Sequence, residues 1–445
     1  MLFCPDGFTD KNTLKFINLI KSMNIDLIGV SVVTDEFPNA KFVTEKIKET
    51  FSIPIIWGGA HPSISPEECL KYADIVCIGE GEEALLELCE KIDTNSDYTS
   101  VKNLWIKKDN IIITNEVRSL VENLDEFPFP DFELKNKYIL TFDDHVEFAE
   151  GHMENTYNLM TSRGCPHSCS YCYNNQRRKM YSRKGKYLRF RSVNNVIDEL
   201  ILIKSKFKSI NYINFWDDNL VSRSIEELER FSEFYKQRVN LPFYCLASPG
   251  KLNEEKIRLL KACGLNLMQI GVQTGSKAIS RDIYHRHDEN KVIINLANLL
   301  HKYKVQGKYD IIFNNPYETK KNILETINLL LKLPKPWIIN GYNLVFYPGT
   351  EIYEKALKDG YIHLNNIDEN SSIYSPINSP LDGWNNKLSN RLYFCNYSIE
   401  NKRYLNSLIA LIPYYPYQLI KLLSFNENVL TKAIVRLLMN NLKNN

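Results

Sequence analysis

The sequence lacks a long uninterrupted apolar run, an excess of one charge and a high density of cysteine. The uncharged stretch 404–420 is short for a membrane span and is broken by Pro413 and Pro416. We expect it to form helical segments packed on the rest of the protein, or a surface that touches lipid or an apolar substrate. The 55 Lys and Arg residues nearly cancel the 53 Asp and Glu residues, unlike the electrostatic footprint of a nucleic-acid binder.

Ten cysteines in 445 residues are too few for a disulfide scaffold. No basic segment followed by an apolar run opens the chain, so we expect no secretory signal and a cytoplasmic protein. Clustered cysteines in such a chain indicate metal ligands or catalytic groups. The scattered ones are best explained as small buried apolar residues: Cys4, Cys69, Cys77, Cys89, Cys245, Cys263 and Cys395.

The first part of the chain alternates apolar runs of strand length with helical patterns. The runs are continuous, as in strands of a parallel sheet that is covered on both faces: Asp26–Val33, Ile53–Trp57 and Asp74–Ile78. Leu104–Ile106 and Ile111–Thr114 predict a closing hairpin. The pattern therefore predicts a doubly wound, Rossmann-like α/β domain over residues 1–118.

A linker over 119–150 contains the proline-rich segment Asp125–Asp131, and a second alternation fills 151–365. Six strand candidates, separated by helical patterns, predict a partial parallel (β/α)6 barrel: Asn158–Ser162, Tyr212–Trp216, Phe243–Ala247, Leu267–Gln273, Tyr309–Phe313 and Gly341–Phe346. In such barrels the chemistry sits at the carboxyl ends of the strands. We expect residues 366–445 to form a mostly helical C-terminal region.

The strongest chemical signal is a C-x3-C-x2-C spacing of Cys165, Cys169 and Cys172, directly after a predicted strand. Gly164 helps to keep the segment out of a helix, so that the thiolates can converge. A [4Fe–4S] cluster needs four ligands, and three cysteines leave one iron open for a small molecule. A zinc site with His167 as the fourth ligand and an electron-transfer cluster are the alternatives.

This cysteine loop, placed after the first barrel strand, resembles that of the radical S-adenosylmethionine (radical SAM) superfamily. The resemblance implies that the open iron chelates the amino and carboxylate groups of SAM. It also implies that reduction cleaves SAM to methionine and a 5′-deoxyadenosyl radical. An external electron donor such as flavodoxin or ferredoxin is implied as well.

Further segments match the superfamily in order. Phe215–Asp218 resembles its F-x-D-D segment, and Gly271–Ser276 resembles its G-x-E-S-G-S segment with Gln273 in place of the usual Glu. Gln keeps a carbonyl acceptor but loses the charge. The segments 313–319 and 347–350 match two more. The resemblance implies SAM contacts at Tyr171, Trp216, Asp217, Asp218, Ser248, Gln273, Ser276 and Arg281.

Gly58–Ser63 and Gly79–Glu82 resemble the vitamin-B12 (cobalamin)-binding domain that is fused to many radical SAM enzymes, and so does the linker 124–131. Glycine-rich turns let a flat macrocycle approach the backbone closely. Met1–Phe3 aligns with the second strand of such a domain, so its first strand is missing. The resemblance implies cobalamin contacts at Ser31, Val32, Thr34, Gly58, Gly59, His61, Gly79 and Gly81, with His61 outside the cobalt-ligand loop and expected to be structural.

Three hypotheses follow. The first is a radical SAM enzyme that uses cobalamin to methylate an unactivated carbon. The second is a radical SAM enzyme with a degenerate cobalamin domain, which catalyses rearrangement, oxidation or bond formation. The third is a non-catalytic iron–sulfur binding protein. The substrate, small or lipid-like, is not indicated by any motif.

Overall fold

The computed structural model of the protein describes residues 2–3, 9–109, 111–140, 145–147, 149–150 and 155–362. The C-terminal helical region expected over 366–445 lies outside the described residues. Within the described ranges, no helix combines the length and the apolar character that a membrane crossing needs.

The N-terminal part is a five-stranded sheet with helices on both faces. Its strands are in the order β2-β3-β4-β5-β6, with β2, β3 and β4 parallel and β5 and β6 antiparallel. The elements in chain order are β1 (Leu2–Phe3), α1 (Asp10–Lys21), β2 (Ile28–Ser31), α2 (Phe37–Lys48), β3 (Ile55–Gly58), α3 (Ala60–Ile64), α4 (Pro66–Cys69), β4 (Ile75–Cys77), α5 (Glu82–Asp93), β5 (Leu104–Lys108) and β6 (Ile111–Thr114).

Two apolar cores lie on opposite faces of this sheet, because successive strand residues point to opposite sides. Trp57 and Val76 join the core that contains α1 and α2. Ile56 and Ile75 join the other, with Leu88 of α5. The predicted doubly wound Rossmann-like architecture is therefore confirmed.

The strand β1 does not belong to this sheet. Leu2–Phe3 pairs in parallel with β7 (Tyr138–Leu140), which pairs in turn with the antiparallel strand β8 (His145–Glu147). Backbone pairing requires strands about 4.8 Å apart. Because β1 lies next to β7 and not next to β2, it pairs with β7. The strand β2 consequently forms an edge of the five-stranded sheet.

The second part is a partial barrel of six parallel strands in the order β16-β15-β14-β13-β12-β9, as predicted. A two-stranded antiparallel ribbon, β10 with β11, accompanies it. The elements are β9 (Thr156–Leu159), β10 (Ser162–Arg163), α6 (Tyr173–Met180), β11 (Arg189–Phe190), α7 (Val193–Lys206), β12 (Tyr212–Phe215), α8 (Ile225–Arg238), β13 (Phe243–Ala247), α9 (Glu254–Cys263), β14 (Leu265–Gln273), α10 (Asn290–Lys302), β15 (Gln306–Phe313), α11 (Lys320–Leu330), β16 (Trp337–Asn343) and α12 (Glu351–Lys358).

The helices cover one face of the six-stranded sheet. Ile213, Phe215 and Met268 point into a large apolar core with residues of α7 to α11, whereas their strand neighbours point to the opposite, inner face. Ser224 and Glu227 form a capping box at the start of α8, and Asn253 caps α9. The barrel is thus a sheet with an apolar outer face and a separate inner face.

Two predicted strands differ from the structure. The strand expected over Asn158–Ser162 is divided into β9 and β10, because the backbone N–H of Thr161 donates to Asp217 and not to a neighbouring strand. The last strand begins and ends earlier than Gly341–Phe346. Its neighbour β15 ends at Phe313, which pairs with Asn343, so no ladder partner remains beyond that point.

Candidate functional site

The three clustered cysteines lie on the loop between β10 and α6, at the carboxyl end of the first barrel strand. Gly164 enters this loop with φ +90°, and a Cβ atom there would lie 2.5 Å from the carbonyl oxygen of Tyr187. Only glycine fits such a position. The backbone N–H of Cys172 donates to the carbonyl of Cys169 at 3.2 Å, which turns the chain back on itself.

The three thiols are close enough to affect one another electrostatically. Burial, with the charges of Asp218 and of the other two cysteines, raises the pKa of the Cys165 thiol to about 12. Burial and the charges of Cys169 and Asp218 raise the pKa of Cys172 to about 11. Such thiols lose their protons on binding metal. Three soft sulfur donors with no fourth cysteine match the donor set of a cluster with one open iron.

The alternative of a single zinc ion requires ligands that converge on one point. In the described part of the chain, no three His, Cys, Asp or Glu side chains could hold one metal ion. A four-iron cluster takes one thiolate per iron, so its ligands need not converge on one point. His167, the fourth ligand of the zinc hypothesis, has its Nε2 2.7 Å from the hydroxyl of Ser248.

Asp217 holds the residues just before the cysteine loop through hydrogen bonds. Its carboxylate accepts hydrogen bonds from the N–H of Thr161 at 3.0 Å, from the Thr161 hydroxyl at 2.9 Å and from the Ser162 hydroxyl. Arg223 donates to the Thr161 carbonyl at 3.0 Å beside it. Asp217 is fully buried and holds protein groups, whereas Asp218 is exposed and close to Cys165 and Cys172. Asp218 is therefore the better placed of the two predicted SAM contacts.

Arg286 is a buried cation that contacts the sulfur of one of the three cysteines. Its Nη1 lies 3.8 Å from the Cys169 sulfur and 3.4 Å from the Tyr171 hydroxyl. Its Nη2 donates to the Gly271 carbonyl at 2.7 Å and to Asp288 at 2.9 Å. The side chain is buried, so the charge faces little solvent screening.

Arg286 was not found from the sequence, because it lies in no segment that matches a family motif. Arg281, five residues earlier, was predicted to contact SAM. Its side chain is 58% exposed and pairs with Asp282. It lines a surface pocket of about 570 Å³ together with Lys321 and Asn322 of α11. The SAM contact of Arg281 stays a prediction.

The other predicted SAM residues fall into two groups. Tyr171 packs edge-on against Tyr284, with ring centroids 5.2 Å apart, and Gln273 lies at a bulge in β14 with φ +69°. Ser248 and Ser276 are buried and bond to protein partners, Asn219 and Asn322, at 2.6 and 2.8 Å. The SAM contacts of these four stay predictions, and so does that of Trp216, whose indole N–H donates to Asn158 at 2.8 Å.

Several residues that were predicted to contact cobalamin face protein. His61 is 1% exposed, with Nδ1 3.3 Å from the Thr34 hydroxyl and its ring 4.7 Å from that of Phe37. Val32 and Thr34 are buried as well. A Cβ atom on Gly79 would lie 2.0 Å from the Tyr181 hydroxyl. The structural role expected for His61 agrees with this burial.

An open surface remains at the carboxyl ends of β2 and β3. Ser31 and Gly59 are exposed there, and Val33 is an exposed apolar side chain beside them. Gly59 has φ +109°, and a Cβ atom on it would lie 2.8 Å from the Val32 carbonyl. A large ligand has access to this surface, and contacts from Ser31, Gly58, Gly59 and Gly81 stay predictions.

The loop of Gly79–Glu82 contacts the barrel domain, which carries the cysteine loop, through ion pairs. The carboxylate of Glu80 accepts from Arg163 at 2.9 Å, from Arg177 at 3.3 Å and from Arg189 at 3.2 Å. Arg163 also pairs with Glu82. Although burial raises it, the pKa of Glu82 is held below its usual value by Arg163. Because Arg163 is two residues before Cys165, the two domains meet at the cysteine loop.

Comparison with known proteins agrees with this geometry. Residues 159–330 match the model of the radical SAM superfamily, and residues 7–89 match that of the B12 binding domain. The chain is 24% identical over 365 residues to an uncharacterized methyltransferase of Pyrococcus horikoshii, covering 80% of this chain and 75% of that protein.

Two solved structures share the fold. The cobalamin-dependent S-adenosylmethionine radical enzyme OxsB, solved with aqua-cobalamin and S-adenosylmethionine, has a TM-score of 0.67 at 16% identity over 98% of this chain and 65% of that chain. The radical S-adenosylmethionine methyltransferase TsrM of Kitasatospora setae, solved with cobalamin and a [4Fe–4S] cluster, has a TM-score of 0.66 at 15% identity, covering 83% and 74%. The chain thus spans about two thirds of the length of OxsB.

Proposed function

The chain belongs to the radical SAM superfamily and carries a B12-binding domain, and from this premise we propose that it is a cobalamin-dependent methyltransferase acting on an unactivated carbon. A reduced cluster supplies the electron that cleaves SAM, and bound cobalamin supplies a methyl carrier. The protein's own residues bind, orient and shield these groups. The proposal includes an external electron donor and a reducing, cytoplasmic setting that preserves the thiols.

One observation carries the proposal: the B12-binding domain is joined to the cysteine loop by buried ion pairs. Glu80 is 12% exposed and Arg189 is 2% exposed. Removing one partner of a buried charge pair strongly destabilises a protein, because the other charge is left buried without a counter-ion. The contact of Glu80 with Arg189 therefore favours one arrangement of the two domains. Transfer between two cofactors requires a fixed, short separation, and this interface supports it.

The test is anaerobic reconstitution with iron, sulfide and cobalamin, followed by reduction in the presence of methyl-labelled SAM. We expect about one cobalamin per chain and S-adenosylhomocysteine as a product, since methyl donation from SAM leaves that thioether. Cobalamin at trace levels, with no S-adenosylhomocysteine above that of a cobalamin-free sample, would refute methyl transfer.

A second function is favoured by a specific observation, the burial of His61, Val32 and Thr34 and the packing of Gly79 against Tyr181. These contacts leave fewer groups to hold a macrocycle. A radical SAM enzyme that does not use cobalamin would give 5′-deoxyadenosine but retain no cobalamin after gel filtration. The same reconstitution therefore separates the two functions.

A further inference from the structure

The inner face of the barrel carries a continuous polar and aromatic band. On β9 and β12, the side-chain oxygen of Asn158 accepts from Asn214 at 3.0 Å and from the indole N–H of Trp216 at 2.8 Å. The Trp216 ring meets that of Tyr244 on β13, with centroids 5.5 Å apart. These residues alternate along the strands with members of the apolar core, so they share the face that the helices leave uncovered.

The band continues across β14, β15 and β16. The Tyr244 hydroxyl donates to Gln269 at 2.6 Å, and the Gln269 amide donates to Asp310 at 2.8 Å. The Asn340 amide donates to the other oxygen of Asp310 at 3.0 Å. The Tyr342 hydroxyl accepts from Gln269 at 3.5 Å and also from Asn340. The result is a chain of side chains with a buried carboxylate at its centre.

The hydrogen-bonding capacity left on the Asp310 carboxylate, at the centre of this band, is acceptor capacity. Both amide N–H groups of Gln269 and of Asn340 are used inside the network, and so is the Tyr244 hydroxyl. A carboxylate offers about four lone-pair positions, and Asp310 fills two of them with these amides. A ligand group that meets this carboxylate is therefore a hydrogen-bond donor.

The inner face exposes two aromatic rings: Tyr342, which shares hydrogen-bond partners with Asp310, and Trp216, which lies three strands away beside Tyr244. Trp216 and Tyr342 are each 47% exposed, although both lie on the inner face of a sheet. The faces of such rings attract cations, and a carboxylate beside them strengthens that preference. Neutral or anionic groups gain nothing comparable from either feature.

Two other charges act on Asp310, those of Lys308 and Arg286. Lys308 is two residues earlier on β15, towards the amino end of the strand and away from the cysteine loop. Arg286 lies on the cysteine side, where Gly271, the residue paired with Asp310, accepts its hydrogen bond. Its charge is already shared among Asp288, Tyr171 and Cys169.

We propose that this inner face is the substrate site and that the substrate carries a protonated amine, which Asp310 binds as a counter-ion beside the Tyr342 ring. The inference rests on the proposed function, because it assigns a substrate to that reaction. Asp310 is a binding residue in this account and takes no part in SAM cleavage.

The test uses reconstituted holoenzyme with SAM and two probes of equal size, benzylamine and benzyl alcohol, with binding followed by ligand-detected NMR. We expect benzylamine to bind at least tenfold more tightly at pH 8. Because burial raises the pKa of Asp310 to about 6, this preference falls as the pH drops through 6, where benzylamine itself stays protonated. Equal affinities for the two probes at pH 8 would overturn the proposal.

Variants locate the effect. Asp310→Asn keeps the shape and removes the charge, and we expect it to abolish the amine preference. Tyr342→Leu removes an exposed ring and leaves the Asp310 carboxylate in place. We expect it to reduce the preference severalfold. Asp198→Asn, on the exposed face of α7 where Asp198 pairs with Arg238, is the matched control and should keep the wild-type preference. An unchanged preference in Asp310→Asn would overturn the assignment.

A parallel assay of 5′-deoxyadenosine separates this inference from the proposed function. Wild-type protein that cleaves SAM but shows no amine preference refutes the substrate site alone. Protein that binds benzylamine selectively through Asp310 but never cleaves SAM refutes the proposed function and leaves the amine site standing.

Discussion

At the residue scale, the cysteine loop is defined by its neighbours as much as by its thiols. Asp217 accepts a hydrogen bond from the backbone of Thr161, and Arg286 places a positive charge near the Cys169 sulfur. The family motif predicts that Asp217 is there, yet its hydrogen bonds serve the protein and not a ligand. A motif fixes the kind of residue, whereas the direction of a side chain depends on contacts that are distant in sequence.

Arg286→Gln should lower the reduction potential of the cluster by on the order of tens of millivolts, because hydrogen bonds to the sulfurs and nearby charge set that potential. The measurement is a redox titration followed by electron paramagnetic resonance. Arg258→Gln, a change at an exposed arginine of α9, is the control and should leave the potential unchanged. The same potential in Arg286→Gln and wild type would show that the contact with Cys169 has no electronic role.

Glu318→Gln should stabilise the protein at pH 8 and have no effect at pH 4.5 or below. Burial raises the pKa of Glu318 from 4.5 to about 7, so the folded state holds a proton that the unfolded state has lost. Stability therefore falls as the pH rises from about 4.5 to 7, by up to about 3 kcal/mol. Thermal unfolding across pH checks this, and a melting-temperature difference that does not change with pH would contradict it.

At the element scale, local sequence signals account for the ends of several helices. The capping box of Ser224 and Glu227 marks the start of α8, and Gly264 ends α9 with φ +129°. The sequence could not show the break after β9 or the early end of β16. Both depend on a partner elsewhere, Asp217 in one case and the end of β15 in the other.

Gly164→Ala should reduce the iron content after reconstitution by more than half. Its Cβ would lie 2.5 Å from the Tyr187 carbonyl, so the loop that carries the cysteines must move. Gly360→Ala has the same kind of backbone strain, φ +76°, with no atom of the described residues within 4 Å of the added Cβ, and serves as the control. We expect it to cost about 1 kcal/mol of stability and to keep its iron. Iron loss in both variants would mean that strain, not the clash, is responsible.

At the scale of the whole molecule, the contact between the two domains depends on residues far apart in the chain. Glu80 is 83 residues from Arg163 and 109 from Arg189. The sequence predicted the two domains and the glycines on either side of Glu80, but not the role of Glu80 itself. An acidic residue in a glycine-rich turn carries no local sign of its arginine partners.

Glu80→Gln should weaken this contact, because it leaves three arginines without their shared counter-ion. We expect the domains to unfold in two calorimetric transitions instead of one, and S-adenosylhomocysteine formation to fall more than 5′-deoxyadenosine formation. Glu83→Gln, a change at the exposed neighbour that faces Arg118 at 3.9 Å, should behave as wild type. Parallel loss of both products in Glu80→Gln would indicate general damage to the cysteine domain.

The central claim is that Cys165, Cys169 and Cys172 hold a cluster that cleaves SAM. Its most direct test is the 5′-deoxyadenosine released by reconstituted, reduced protein in the presence of SAM, compared with Cys165→Ala, Cys169→Ala and Cys172→Ala, and with Cys89→Ala, outside the loop, as the control. The account predicts release by the wild type and by Cys89→Ala, and none by the three loop variants. Full release by any loop variant, or none by the wild type with its iron in place, would contradict it.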